Sequence, residues 1–486
     1  MSLLDPAEFG GRVFTGEWST PRGGATSVTS PATGEELARI GFADAEDVAA
    51  SAARAADAQR AWAAASFEER AAVLRRAGAL FEEHTGQVAG WLVGEAGSAQ
   101  GKAAFETHLA VTEAYESAAL ASQPAGEVLR TAKPRLSMSR RVPAGVVGVI
   151  SPFNFPLILA MRSVAPALAL GNAVVLKPDP RTAVCGGAVI AEVFRRAGLP
   201  EGVLHVLPGG AEAGERLVAD PRVRVVSFTG STAAGRRVGE AAGRHLKRVH
   251  LELGGNSPLV VLGDADVGAA ASAGAWGAFL HQGQICMTTG RHIVHSSIAE
   301  EYTALLAAKA DALAVGDPAQ DPAALGPLID AGQRDRVHGL VARSVEAGAR
   351  LRAGGVHDGL FYRPTVLDRV GPDVPAYGEE VFGPVAPVIA FDTEEEAVEL
   401  ASAGEYGLSL GVLTGNPMRG MELAERIPAG LVHINDQTVD DEATAPFGGV
   451  GASGTGSRFG GTAANVEAFT ETQWVTMQTD IQRYPF

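Results

Sequence analysis

The feature that most constrains this chain is a texture that begins near Val142. Short β-branched runs, VVGVIS, AVVLKP, VLHVLP and VRVVSFTG, each end at a Gly, Pro or Ser turn. Helical stretches such as 158–170 and 183–197 lie between them. Strand, turn and helix in regular alternation specify an α/β fold, a parallel sheet with helices on both faces. Strands of such a sheet are buried on both sides and read as continuous apolar runs, as these do. A second α/β pattern follows Gly255, with strands PLVVLG, RHIVHS, VAPVIAF and LSLGVLTG and helices expected over 267–280, 299–313 and 332–347. Upstream, an Ala-rich helix is expected over 45–65. Another is expected over 67–91, with Val73, Leu74, Ala77, Leu80 and Phe81 at helical spacing. A chain of 486 residues exceeds what one core holds, so two or three domains are expected.

Charge and cysteine content exclude several partners. The formal net charge of −16 repels a nucleic-acid backbone or an anionic membrane at long range. No apolar run is long enough and free enough of polar residues to span a bilayer. The beginning, MSLLDPAEFGGRVFTGEW, has no basic stretch followed by an apolar run. Cys185 and Cys286 are the only thiols, which fits a reducing compartment, and the expectation is a cytoplasmic protein. After a polar stretch at 124–133, RLSMSRR alternates like an exposed strand, and similar alternation returns over 468–484. Exposed strands seek partners, which points to self-association.

Five segments carry chemistry. Cys286, in HQGQICMTTGR, follows an Ala/Gly-rich helix and sits in a short polar loop where a thiol can face a cleft. Taken alone it would read as a small buried apolar residue. Glu252, in HLELGGNSP, ends a strand-like stretch beside two glycines that permit close approach of a ligand. Asn154, in ISPFNFPLIL, lies between two prolines that stiffen the backbone, and a fixed amide in an apolar setting is a good oxyanion donor. Lys177 follows a buried strand at the sheet edge where nucleotides bind in such folds. FTGSTAAG is a Gly-rich strand-to-helix turn with Gly230 and Gly235 spaced G-x-x-x-x-G, able to hold a pyrophosphate on helix N–H groups. The acidic run Asp440, Asp441 and Glu442 has no His at ligand spacing; it reads as a solvated loop, and no metal is assigned.

Together these segments resemble the aldehyde dehydrogenase superfamily over nearly the whole chain. SPFNFP, LKP, FTGSTAAG, LELGGNSP, QGQICMTTGR, EEVFGP and PFGGVGASGTG occur in that family's order, with Glu252 34 residues before Cys286. KPDPRTAV and HINDQTVDDEATAPFGGVGASGTGSRFGG are similar to the benzaldehyde and vanillin dehydrogenase branch. The resemblance implies oxidation of an aldehyde, aromatic in that branch, to a carboxylic acid with NAD or NADP. It implies Cys286 as nucleophile, Asn154 as oxyanion donor and Glu252 as general base for hydrolysis of a thioester. Cofactor contacts are implied for Ile150, Ser151, Pro152, Phe153, Lys177, Gly230, Ser231, Gly235, Leu253, Glu380 and Phe382. Phe155 and Phe447 are implied as walls of the substrate tunnel, and Glu471, in FTETQW, as a second carboxylate that helps move protons. NAD-preferring relatives read K-P-x-E where this chain has Pro180 in the Glu position, with Asp179 before it and Arg181 after it, so NADP is expected to be accepted too.

The implied architecture is a Rossmann-type cofactor domain (1–123 and 143–255), an α/β catalytic domain (256–449) and a small β oligomerisation flap (124–142 and 465–486). The implied assembly is a homodimer or homotetramer. Three rivals are weighed against it. An aliphatic-aldehyde or semialdehyde enzyme would keep the mechanism. A cofactor-independent thiol esterase leaves Lys177 and FTGSTAAG without a purpose. A CoA-acylating enzyme would be expected to lack Glu252.

Overall fold

A computed structural model describes residues 2–486. Its first sheet has seven strands in the order Arg248–Glu252, Val223–Thr229, Val146–Ile150, Ala173–Lys177, Leu204–Val206, Val13–Phe14 and Trp18–Ser19. The first five are parallel, and the last two form an antiparallel edge. The register decides the site. Ile150 pairs Lys177 and Phe228, and Thr229 pairs Glu252, so four chain segments leave the sheet at one carboxyl edge. Ligands bind at that edge in open α/β sheets.

The second sheet also has seven strands, in the order Arg350–Ala353, Thr365–Asp368, Val385–Phe391, Thr289–His295, Ser257–Val261, Ser409–Leu413 and Leu431–Ile434. It is parallel except at the Arg350–Ala353 edge. A third, antiparallel sheet joins Thr470–Met477, Leu136–Pro143 and Gly126–Val128. The Thr470–Met477 strand is one of its two edges, with Trp474 and Met477 exposed.

Several expected boundaries shift for local reasons. The helix expected over 67–91 is two, Phe67–Glu83 and Thr85–Ala96, because His84 leaves helical geometry at φ −107° and ψ 19°. Thr85 Oγ1 donates back to the Phe81 and Glu82 carbonyls and caps the first of them. The helix expected over 183–197 opens with a wide turn, Val184–Ala188, before regular helix at Val189–Arg196. There the buried Glu95 carboxylate accepts the Val184 and Cys185 N–H groups. The strand expected over 468–484 is limited to Thr470–Met477. It is preceded by a helix, Thr462–Phe469, that alternation alone does not reveal. No helix among the described residues is long and apolar enough to cross a membrane.

Candidate active site

At the carboxyl edge of the first sheet lies a cavity of about 310 Å³. It is walled by Ile150, Ser151, Pro152 and Phe153, by Lys177, by Gly230 and Ser231, and by Leu253, Glu380 and Phe382. Its donors suit a dinucleotide. Ser231, which lines the cavity, caps the Thr232–Arg244 helix by accepting from the Ala234 N–H at 3.4 Å, so the positive end of that helix lies beside the cavity. The Ser151 hydroxyl is buried with no partner. Lys177 Nζ uses one donor on the Gly209 carbonyl at 2.9 Å and a longer one on Pro178. Glu380 Oε1 accepts from the Gly255 N–H at 3.0 Å, and burial pushes its carboxyl up to about 7. Phe382 holds a left-handed backbone at φ 52° and sets its ring edge-on to Phe153 at 5.9 Å.

Cys286 is where three cavities meet: this one, a second of about 420 Å³, and a small third of about 10 Å³. The chain reaches it through three successive left-handed residues, His281, Gln282 and Gly283, at φ 48°, 56° and 65°. Two of these carry side chains and cost about 1–3 kcal/mol each. Gln282 Nε2 bonds the carbonyls of Gly97 and Pro327 at 3.0 and 2.9 Å, which over-determines the turn. Downstream, the Arg291 guanidinium donates to the carbonyls of Asn256, Leu400, Ala401 and Ala403. It thereby ties the segment after Cys286 to the one after Glu252.

Asn154 lines both large cavities and is buried. Its Nδ2 donates to the Gln284 carbonyl at 2.8 Å, two residues from the sulfur, which fixes the amide plane. Glu252 shares the small cavity with Cys286, and neither carboxyl oxygen has a hydrogen-bond partner. Burial therefore holds its carboxyl well above the ordinary range, against the opposing pull of Arg162 and Arg458. Burial, then the charges of Glu380, Glu252 and Asp441, push the Cys286 thiol up to about 12. A cavity of that small size has room for about one water.

The second cavity is mostly apolar, walled by Phe105, Leu109, Phe155, Ile158, Leu159, Trp276, Ile285 and Phe447. Phe155 is held by Lys102, whose Nζ lies 4.1 Å from the ring centre and donates to the Asn154 carbonyl at 2.8 Å.

Three expectations need correction. Gly235 does not line the cofactor-side cavity. It lies in the first turn of the Thr232–Arg244 helix, where any side chain would strike Leu253. Glu471 is remote from all three cavities: it sits in the edge strand opposite Val142 and pairs with Arg248 at 2.9 Å. The acidic run is not a wholly solvated loop, since Asp441 turns inward to an ion pair with Arg162. Arg181 is bound by both Asp179 and Asp330, and it stacks over Phe153 at 4.3 Å. Sequence reasoning also missed Arg162, Gln333 and Arg336. Only Arg162 left a signal, as the lone charge in the apolar helix PLILAMRSVAPALA. Among the described residues no cluster of His, Cys, Asp and Glu could hold a metal ion.

The aldehyde dehydrogenase family model matches residues 18–475. The chain belongs to the aldehyde dehydrogenase family. Over 486 residues, the whole of both chains, it is 66% identical to a vanillin dehydrogenase of Amycolatopsis sp.. It is 50% identical to a benzaldehyde dehydrogenase [NAD(+)] of Pseudomonas putida, covering 98% of each. A salicylaldehyde dehydrogenase of Pseudomonas putida G7, solved with salicylaldehyde, superposes with a TM-score of 0.94 at 36% identity, covering 98% of this chain and 99% of that one. This family carries out aldehyde oxidation through a cysteine, with NAD(P), so the chain is an oxidoreductase and the esterase reading is not favoured.

Proposed function

We propose that the enzyme oxidises an aromatic aldehyde to its carboxylic acid through a thioester on Cys286. The observation that carries this is the apolar, aromatic-walled cavity that opens onto the Cys286 sulfur. An aromatic ring buries its faces there at little polar cost, and a short aliphatic chain leaves the walls uncovered. The names of the relatives point the same way. Purified enzyme is expected to show kcat/KM for benzaldehyde at least about tenfold above that for propanal, as the lost apolar contact dictates. Equal or inverted efficiencies would overturn the substrate class and leave the mechanism.

The residues divide the chemistry. Cys286, as thiolate, adds to the aldehyde carbon. Asn154 Nδ2 and the Cys286 N–H, which no acceptor in the chain engages, stabilise the oxyanion. Lys177, Ser151 and the N-terminus of the Thr232–Arg244 helix would hold the dinucleotide, which would supply the hydride acceptor. Glu252 then takes a proton from a water in the small cavity as that water attacks the thioester carbon, and the C–S bond breaks. Asn154→Ala is expected to lower kcat about 100-fold with little change in KM. Steady-state kinetics with benzaldehyde check this, and a rise in KM at unchanged kcat would remove Asn154 from the oxyanion role.

On cofactor choice, both NAD⁺ and NADP⁺ are used, with NAD⁺ preferred. Pro180 brings no carboxylate to the site, but Asp179 and Asp330 share the charge of Arg181 that would otherwise meet a 2′-phosphate. Asp330→Asn should leave Asp179 as the single carboxylate on Arg181 and lower KM for NADP⁺ several-fold, with KM for NAD⁺ nearly fixed. Negligible NADP⁺ turnover in both proteins would overturn this reading.

The two sheets and the small third sheet then serve as cofactor domain, catalytic domain and oligomerisation flap, the unpaired Thr470–Met477 edge joining a second copy as a homodimer or homotetramer. The free thiol of Cys286 suits a reducing, cytoplasmic setting.

A further inference from the structure

Arg162 is a buried cation whose hydrogen bonding is incomplete. It projects from the Pro156–Ala169 helix, with its side chain 4% exposed. Nη2 donates to Asp441 and, at 3.2 Å, to the Glu442 carbonyl. The guanidinium carbon sits 4.6 Å from the centre of the Phe447 ring. Nε and Nη1 have no partner. Arg162 lines the small cavity with Cys286 and Glu252, and both Glu252 oxygens are likewise without a partner. A guanidinium with spare donors and a carboxyl with spare acceptors thus share one water-sized space beside the sulfur.

The other charged groups around this space come from four segments. Glu113, on the Gln100–Leu120 helix, accepts from Ser117 with one oxygen and has the other unpartnered, and burial pushes its carboxyl up to about 8. Asp441 comes from the 440–442 loop and is the direct partner of Arg162. Arg458 comes from the segment after Val450–Gly451, with Nη1 on the carbonyls of Gly449 and Ser457 at 3.1 and 2.9 Å. Cys286 comes from its own loop. Of the two cations, Arg162 exerts the larger pull on Glu252.

We propose that Arg162 is a positioning residue for thioester hydrolysis: its guanidinium favours the carboxylate form of Glu252 against the burial that opposes it, and Asp441 sets how much of that charge Glu252 feels. The proposal rests on the reading of Glu252 as general base. In hydrolysis the water oxygen bonds to the acyl carbon, the C–S bond breaks, sulfur leaves with the electron pair, and Glu252 takes the water proton. Glu252 is then a buried acid that must give up that proton before the next turnover. A fixed cation beside it favours the release, and the Asp441 pair tempers that cation. Arg162 itself carries no proton away, because guanidinium stays charged.

The test isolates deacylation and needs no dinucleotide. The enzyme is acylated with p-nitrophenyl benzoate, excess ester is removed, and loss of the acyl group from Cys286 is followed by mass spectrometry from pH 6 to 10. In the wild type the rate should rise with pH as Glu252 ionises. Arg162→Met should move that rise to higher pH by about one unit or more. Arg162→Lys should restore most of it, and Asp441→Asn should move it to lower pH. Opposite shifts from the two partners are not what a loss of packing produces. An unmoved limb in Arg162→Met, or a shift of the same sign in Asp441→Asn, overturns the proposal. If Arg162→Met does not fold, Asp441→Asn decides alone, and no shift toward acid overturns it. A wild type that forms no acyl-Cys286 overturns the Cys286–Glu252 reading and the proposal with it.

Discussion

Cys286→Ala protein is expected to be folded and to lose benzaldehyde oxidation by about 10⁵-fold or more, to the background of bound but unreacted substrate. No other group can take its place. The second thiol, Cys185, is wholly buried, with Sγ turned to the Thr182 carbonyl at 3.8 Å and its own ionisation strongly opposed. Cys286 is the residue shared by all three cavities. Its chemistry in the free protein also has a set pH sense. The thiol is pushed up to about 12 by burial and by the charges of Glu380, Glu252 and Asp441, so the thiolate is the minor form throughout the neutral range. Alkylation of the ligand-free enzyme by iodoacetamide should therefore climb about tenfold per pH unit from pH 7 to 10, with no plateau. Glu380→Gln removes one of the raising charges and should speed alkylation at fixed pH. A plateau near pH 7 would mean a thiolate already stabilised in the resting site, and would overturn this account of the sulfur.

Much of the fold was legible because its strands are buried on both faces. AVVLK and VVGVI read as strands because each is short, rich in β-branched residues and bounded by turn residues. Positions of Glu252, Lys177 and Gly230 followed, because a parallel register brings strand ends to one edge whatever the intervening helices do. Failures occurred where tertiary contacts override local pattern. The break at His84 depends on a Thr back-bond, and the wide turn at Val184 depends on Glu95 from another helix. Glu471 carries a strand-edge ion pair that the run FTETQW does not distinguish from a cleft-facing carboxylate. Asp441 was misread because its partner, Arg162, lies 279 residues away. A lone Arg in an apolar helix has to meet a buried acid, and that rule applied to PLILAMRSVAPALA would have sought one.

Glu252→Gln should separate the two halves of the reaction. The amide has the shape of the carboxyl group but takes no proton from water, so aldehyde addition and hydride transfer persist and hydrolysis stalls. Rapid mixing with benzaldehyde and NAD⁺ is expected to give a burst of about one NADH per active site, followed by turnover about 10³-fold below wild type. Intact mass should show an acyl adduct that maps to Cys286. A further consequence concerns stability. Both Glu252 oxygens are buried without partners, and its carboxyl is held well above its ordinary value of 4.5. A carboxyl raised on folding binds its proton more tightly in the native state, so the native state loses ground as pH rises above that ordinary value. Glu252→Gln removes this loss. Its melting temperature should match wild type at pH 4.5 and exceed it by a margin that grows toward the raised ionisation and then levels off. Loss of the burst in Glu252→Gln would move Glu252 from hydrolysis to activation of the thiol, since a base needed before acylation cannot leave acylation intact. A melting margin that shrinks with pH would mean that Glu252 is stabilised as a carboxylate in the resting enzyme, by cations stronger than the burial that opposes them.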